Sequence, residues 1–150
     1  MKRRAVFVLL TTTVAVLMTA GVVYGFDSKD VETLQTTGYC DHCDLSGALL
    51  AGITVKGGLA GSNLSGADLS QSSLSGTDAT GSNFSGANLK EANLSAADFT
   101  TTDLSGADLT GANLSGTTLD GAKLDNTIWT DGERCKAGSI TTCDKEEKKQ

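Results

Sequence analysis

Between Cys43 and Trp129 an apolar residue returns at every fifth position, and few chain paths can bury such a series. The centres are Leu45, Leu50, Val55, Leu59, Leu64, Leu69, Leu74, Ala79, Phe84, Leu89, Leu94, Phe99, Leu104, Leu109, Leu114, Leu119, Leu124 and Trp129. A small side chain stands two residues before many of them, as at Ala67, Ala87, Ala92, Ala97, Ala107, Ala112 and Ala122. The other positions are mostly Asp, Asn, Ser, Thr and Gly. On an α-helix every fifth residue advances ~140°, so the leucines would spread around the whole surface. On a flat strand every fifth residue changes face, and half the leucines would meet water. A path that turns a corner every five residues escapes both problems. Each side then sends its centre and its small residue inward, and stacked coils pair as parallel strands ~4.8 Å apart. Composition agrees: proline is absent, glycine numbers 18, and seven aromatic residues are too few for a core built on large rings.

The pentapeptides ADLSQ (67–71), ANLKE (87–91), ANLSA (92–96), ADLTG (107–111) and ANLSG (112–116) resemble the A(D/N)LXX motif of the pentapeptide-repeat family. The pattern recurs 18 times over residues 43–130, with one shortened unit, GLAG, at 58–61. The resemblance implies an all-β fold, a right-handed quadrilateral parallel β-helix, in which positions twenty apart stack. Eighteen repeats at four per coil give a rod ~22 Å long at ~4.8 Å per coil. Ala79 then lies beneath Phe99, whose ring is expected to fill the space a smaller centre leaves. Leu64, Phe84, Leu104 and Leu124 form the neighbouring side. The short GLAG unit is read as a tolerated deletion rather than a site.

Residues 1–25 are a separate object. Lys2, Arg3 and Arg4 precede an uncharged apolar run from Ala5 to Tyr24, and Val23-Tyr24-Gly25 supplies small residues at the positions where exported chains are cut. A cleaved secretory signal is the preferred reading. The alternative is an uncleaved anchor, since 21 helical residues span ~31 Å. Both place the remainder outside the cytoplasm, in the periplasm or the extracellular medium. The three basic residues leave with the signal, so nine basic residues face 18 acidic ones and the net charge is −9. Nucleic acid is therefore not an expected partner, because no basic stripe exists to displace counterions.

A solenoid has two open ends, and each needs a cover. Residues 26–42 are expected to cap the first coil, with a short helix over 27–37, Ser28 as N-cap, and Val31 and Leu34 facing the core. Residues 131–150 form a C-terminal cap and charged tail. Four cysteines in an exported chain suggest two disulfides. On a rod of the length the resemblance implies, the ends lie ~20 Å apart, whereas bonded cysteines need Cα atoms within ~7 Å. Cys40–Cys43 and Cys135–Cys143 are the expected pairs.

Catalytic chemistry has little to work with. His42 is the sole histidine, so Ser/His/Asp or Cys/His catalysis and a histidine-rich metal centre are not expected. No cofactor, metal or catalytic residue is assigned, and the chain is read as a non-enzyme. Cys40-Asp41-His42-Cys43 also has a thiol–disulfide redox reading, set against that of a structural bridge. The preferred function is an exported structural or protein-binding module, its partner an unidentified protein or envelope component. A membrane enters only if the N-terminal segment stays uncleaved. A second reading comes from the family resemblance: some members resemble duplex DNA and bind DNA gyrase, which implies an inhibitor or protector of a topoisomerase. The outward rows Ser65/Ser85/Ser105 and Ser75/Ser95/Ser115 prompt a third, ordering of water or ice.

Overall fold

The computed structural model describes residues 25–145. The expected signal segment (1–25, apart from Gly25) and the last five residues of the charged tail lie outside the described residues. The chain is a right-handed, four-sided parallel β-helix preceded by one short helix.

The helix, α1 (Ser28–Thr37), is set by its ends. Asp27, not Ser28, is the N-cap: its backbone is extended and its carboxylate accepts from the Lys29 N–H at 2.8 Å. Asp is as good a cap as Ser, and one residue earlier it lets the whole Ser28–Thr37 segment become helical. Gly38 ends the helix in the left-handed conformation, its N–H bonding to Leu34 O, a step only glycine takes without cost. Val31 and Leu34 are buried beneath the first coil. Asp27 N–H donates to Asp44 O, and the Asp30 carboxylate accepts from Asp44 N–H, so α1 supplies the hydrogen bonds that a preceding coil would have given.

Above α1 the repeats stack twenty residues apart, as Asn63 on Asn83, Asn83 on Asp103 and Asp103 on Lys123. Each centre donates its N–H to the coil above, for example Leu64 to Asn83 O at 2.7 Å, and the residue before it bonds to the coil below. Four inward columns result. The Leu59 side holds Leu59, Ala79, Phe99 and Leu119, and the Leu64 side holds Leu45, Leu64, Phe84, Leu104 and Leu124. The Leu69 side holds Leu50, Leu69, Leu89, Leu109 and Trp129, and the Leu74 side Val55, Leu74, Leu94 and Leu114. Most of these centres are buried. Leu114 and Leu119, expected in the core, are only half-buried, because no further coil among the described residues lies above them.

Two features depart from the sequence reading. The coil begins before Cys43: Cys40 N–H donates to Gly58 O and His42 N–H to Ala60 O, in the manner of the repeats. Below the GLAG unit the spacing is nineteen, as in Asp44 on Asn63, and from Gly58 on Asp78 it becomes twenty. Segment 39–42 lies over the glycines of this short unit. A Cβ on Gly57 would stand 1.7 Å from the Tyr39 ring, and one on Gly58 2.1 Å from the Asp41 carboxylate. The run of glycines thus admits the first strand of the coil.

At the far end the chain folds back antiparallel. Cys135 N–H bonds to Thr127 O, Leu124 N–H to Ser139 O, and Thr141 N–H to Ala122 O. This return covers the Leu64 and Leu69 sides.

Candidate interaction surfaces

The outer surface is built by one repeated local device. The Asp or Asn before each centre turns its side chain to accept from the N–H two residues on, as in Asp68 to Ser70 (3.0 Å), Asn83 to Ser85 (3.0 Å) and Asp98 to Thr100 (2.9 Å). Such turns explain why these positions are Asx and why the corners stay rigid without proline. The following corner residue takes a positive φ. It is usually glycine, as at Gly66, but Gln71, Glu91, Ala96 and Thr101 adopt the same left-handed conformation.

These side chains also stack along the rod. Asn88 Nδ2 donates to Asp68 Oδ1 at 2.9 Å, Asn63 Nδ2 to Asp44 Oδ1 at 3.2 Å, and Gln71 Nε2 to Glu91 Oε2 at 2.9 Å. Placing Asn between Asp residues spares the ladder a run of like charges. Lys90 pairs with Asp108 at 3.1 Å and Lys123 with Asp103 at 3.5 Å. At Asp78 the hydrogen bonds from Thr80 hold the carboxyl below its ordinary value. At Asp103, burial pushes the carboxyl upward, but the hydrogen bonds from Ser105 and the nearby Lys123 outweigh it and the net shift is down. Asp108 behaves likewise, with Thr110 and Lys90 overcoming burial.

The four sides therefore differ. The Leu59 side stacks Asp78 directly on Asp98. The Leu64 and Leu69 sides mix acids, amides and paired lysines. The Leu74 side carries Thr54, Ser73, Asn93 and Asn113 at its outward ladder position, with no charge among them. Of the serine rows on the surface, Ser75 and Ser95 share a hydroxyl–hydroxyl bond at 3.0 Å, while Ser115 donates to Asn113. The hydroxyls of this row are thus engaged with the protein itself.

The cysteines lie at the two ends. Cys40 is bonded to Cys43 (Cα–Cα 5.5 Å) and Cys135 to Cys143 (Cα–Cα 5.0 Å). Cys40 and Cys43 are buried, with Cys40 Sγ 3.3 Å from the Asp30 backbone carbonyl in the first turn of α1. Asp30 adds a carboxylate beside them. A reactive thiol wants the opposite setting. Asp30, Cys40 and Cys43 group closely enough to suggest a metal, but with both sulfurs joined the group has no thiolate to offer. His42 is exposed and its ring covers Gly61.

One inner feature escaped sequence reasoning. Where the small inward residue is Ser or Thr, its buried hydroxyl donates to a carbonyl of the coil below, as Ser82 to Leu59 O (2.6 Å), Thr102 to Ala79 O (2.8 Å) and Thr127 to Leu104 O (2.7 Å). The signal lay in their equivalence to the alanines of the motif. Ser72 departs from this, its hydroxyl donating to Leu69 O of its own coil (2.6 Å), and Thr77 Oγ1, on the side displaced by the short repeat, finds no partner among the described residues.

The family profile described as Pentapeptide repeats matches the chain in eight copies, over residues 62–100 and 92–128. A pentapeptide repeat protein from the cyanobacterium Cyanothece 51142 is 30% identical, aligned over 67% of this chain and 97% of its own, with a TM-score of 0.51. One from the Arabidopsis thaliana thylakoid lumen is 29% identical, over 76% of this chain and 79% of its own, with a TM-score of 0.39. Another from Nostoc PCC 7120 is 33% identical, over 70% and 82%, with a TM-score of 0.38. No curated protein matches the sequence. The chain belongs to the pentapeptide-repeat family.

Proposed function

We propose that the protein is an exported interaction module, a rigid rod that presents ordered polar sides to a protein or envelope component outside the cytoplasm. The observation that carries this reading is the outer surface itself. Its Asx ladders are fixed by backbone hydrogen bonds on a rod filled with leucine, so side chains are held in place before a partner arrives. Such preorganisation lowers the entropy cost of binding. The disulfides at both ends suit an oxidising compartment, as does the basic-then-apolar N-terminal segment. No helix among the described residues is long and apolar enough to cross a membrane. A duplex-mimicking role draws less support, because the Leu64 and Leu69 ladders mix Asp with Asn, the Leu74 ladder carries no charge, and two of the acids are paired with Lys90 and Lys123.

A photo-crosslinking residue placed in turn at Asn83, Asn88, Asn93 and Asp98 in the native host tests the reading, since these positions represent the four sides. The expected result is an adduct with an exported or envelope component, confined to one or two adjacent sides. Adducts with cytoplasmic proteins alone would contradict it.

A further inference from the structure

The short unit GLAG (58–61) sets two unequal corners one above the other. In a regular corner two residues follow the centre, and the N–H of the next closes a turn onto the centre's carbonyl, as Thr77 N–H does to Leu74 O (3.1 Å). Directly below, the corner after Val55 is one residue shorter. Gly58 already pairs with Asp78, so Gly57 stands beneath Thr77 at the inward position. The turn bond from Gly58 N–H to Val55 O is not made.

Polar groups that find partners in other coils are left over at this mismatch. Thr77 is 1% exposed, and its hydroxyl has no partner among the described residues. Its equivalents Ser82, Thr102, Thr117 and Thr127 each donate to the centre carbonyl of the preceding side, one coil below. For Thr77 that carbonyl belongs to Val55, which is 2% exposed and accepts from no described residue. The donor and its natural acceptor are both buried and both unbonded, at the one corner where a residue is missing. The ladder bond beside them is absent as well. Asp98 N–H bonds to Thr77 O one coil above, but Asp78 N–H makes no such bond to Gly57 O.

Buried hydroxyls and carbonyls are paired with protein or with ordered water in folded proteins. The groups left over here are two donors and two acceptors, none of them charged. A cation would leave the donors unpaired, and an anion would leave the carbonyls. Water donates twice and accepts twice, and a buried molecule typically makes about three such bonds. A deleted residue also takes one N–H and one C=O with it, and water carries both functions on a single atom.

We infer that the corner between Val55 and Thr77 binds one buried water molecule, anchored by the Thr77 hydroxyl and the Val55 carbonyl, with Gly57 O and Asp78 N–H as its further partners. The water takes the place of the missing peptide unit, and the solenoid thereby absorbs a four-residue repeat. The site is internal and stands apart from the export reading and from any partner.

Two measurements on the oxidised protein test this. Magnetic relaxation dispersion of solvent oxygen-17 counts the waters held long inside a protein. The count should fall by one in Thr77→Val, which keeps the shape of the side chain and removes the hydroxyl. Thr77→Ser should restore the parent count. Thr102→Val should leave it unchanged, because the Thr102 hydroxyl bonds directly to Ala79 O. Nuclear Overhauser transfer from water to backbone amides locates the molecule without any substitution, and so decides the matter if Thr77→Val does not fold. It should reach Asp78 N–H and not Asp103 N–H, which is bonded to Ser82 O. A parent with no long-lived water overturns the inference. So do a Thr77→Val count equal to the parent's, an equal fall in Thr102→Val, or no transfer to Asp78 N–H.

Discussion

Ala79 and Phe99 show how a repeat tolerates departures from its own motif. The two are stacked, since Ala79 N–H bonds to Asp98 O, and both are fully buried. The Phe99 ring meets Phe84 of the adjoining side with centroids 5.3 Å apart and planes inclined at 58°, a tilted arrangement favourable to aromatic pairs. The small centre Ala79 is thus accompanied by two rings, Phe84 on the next side of the same coil and Phe99 in the coil above. Phe99→Ala should cost about 3–5 kcal/mol, measured by chemical denaturation, because the rigid backbone cannot collapse into the cavity. A loss below ~1 kcal/mol would refute the packing role of the ring. Thr101 makes the opposite kind of exception. It is a β-branched residue at φ 57, where most equivalent corners of this chain are glycine, and such a conformation costs about 1–2 kcal/mol.

Among the elements, the two ends show where sequence reasoning reaches its limit. The helix and its buried Val31 and Leu34 were legible from apolar spacing, and the column Leu64–Phe84–Leu104–Leu124 from the five-residue period together with the four-sided coil that the family resemblance implied. The N-cap was misplaced by one residue, since Asp27 and Ser28 are both good caps and only the path of the chain chooses between them. The return strand was not legible at all. Residues 134–141 have no repeat, and they are held by long-range bonds to the last coil. For the same reason Leu114 and Leu119 looked like core in the sequence, although only two sides are covered. Because Cys135 and Cys143 clip this return, replacing both with Ser should cost about 2–3 kcal/mol, most of it from a loop that is no longer closed in the unfolded chain. Hydrogen exchange at Leu124 and Cys135, whose N–H groups bond across the return, should quicken in that variant while exchange at Leu64 does not.

For the whole molecule the outer carboxylates set the response to acid. Asp78, Asp103, Asp108 and Asp131 are all held below the ordinary 3.8. Their folded values lie below their unfolded ones, so their stabilising contribution is full above the unfolded value and is lost as pH falls through the folded values. The melting temperature followed by circular dichroism should therefore be flat between about pH 5 and 7 and decline below about pH 4. A melting temperature that rises on acidification would mean that repulsion between stacked acids such as Asp78 and Asp98 outweighs these bonds. The period of the sequence specifies a coiled path with an apolar inside and a polar outside, and the family resemblance adds its four sides. It does not specify what the sides bind, because a solvated ladder and a recognition surface are written in the same Asp, Asn, Ser and Thr.

The central claim, an oxidised rod working outside the cytoplasm, is tested most directly by the intact mass of the protein isolated from its native host, taken before and after reduction and alkylation. The account predicts a chain beginning at Phe26 whose four cysteines take up alkylating agent only after reduction. A chain retaining Met1 to Gly25 with four free thiols would contradict it, and the search for a partner would then move inside the cell.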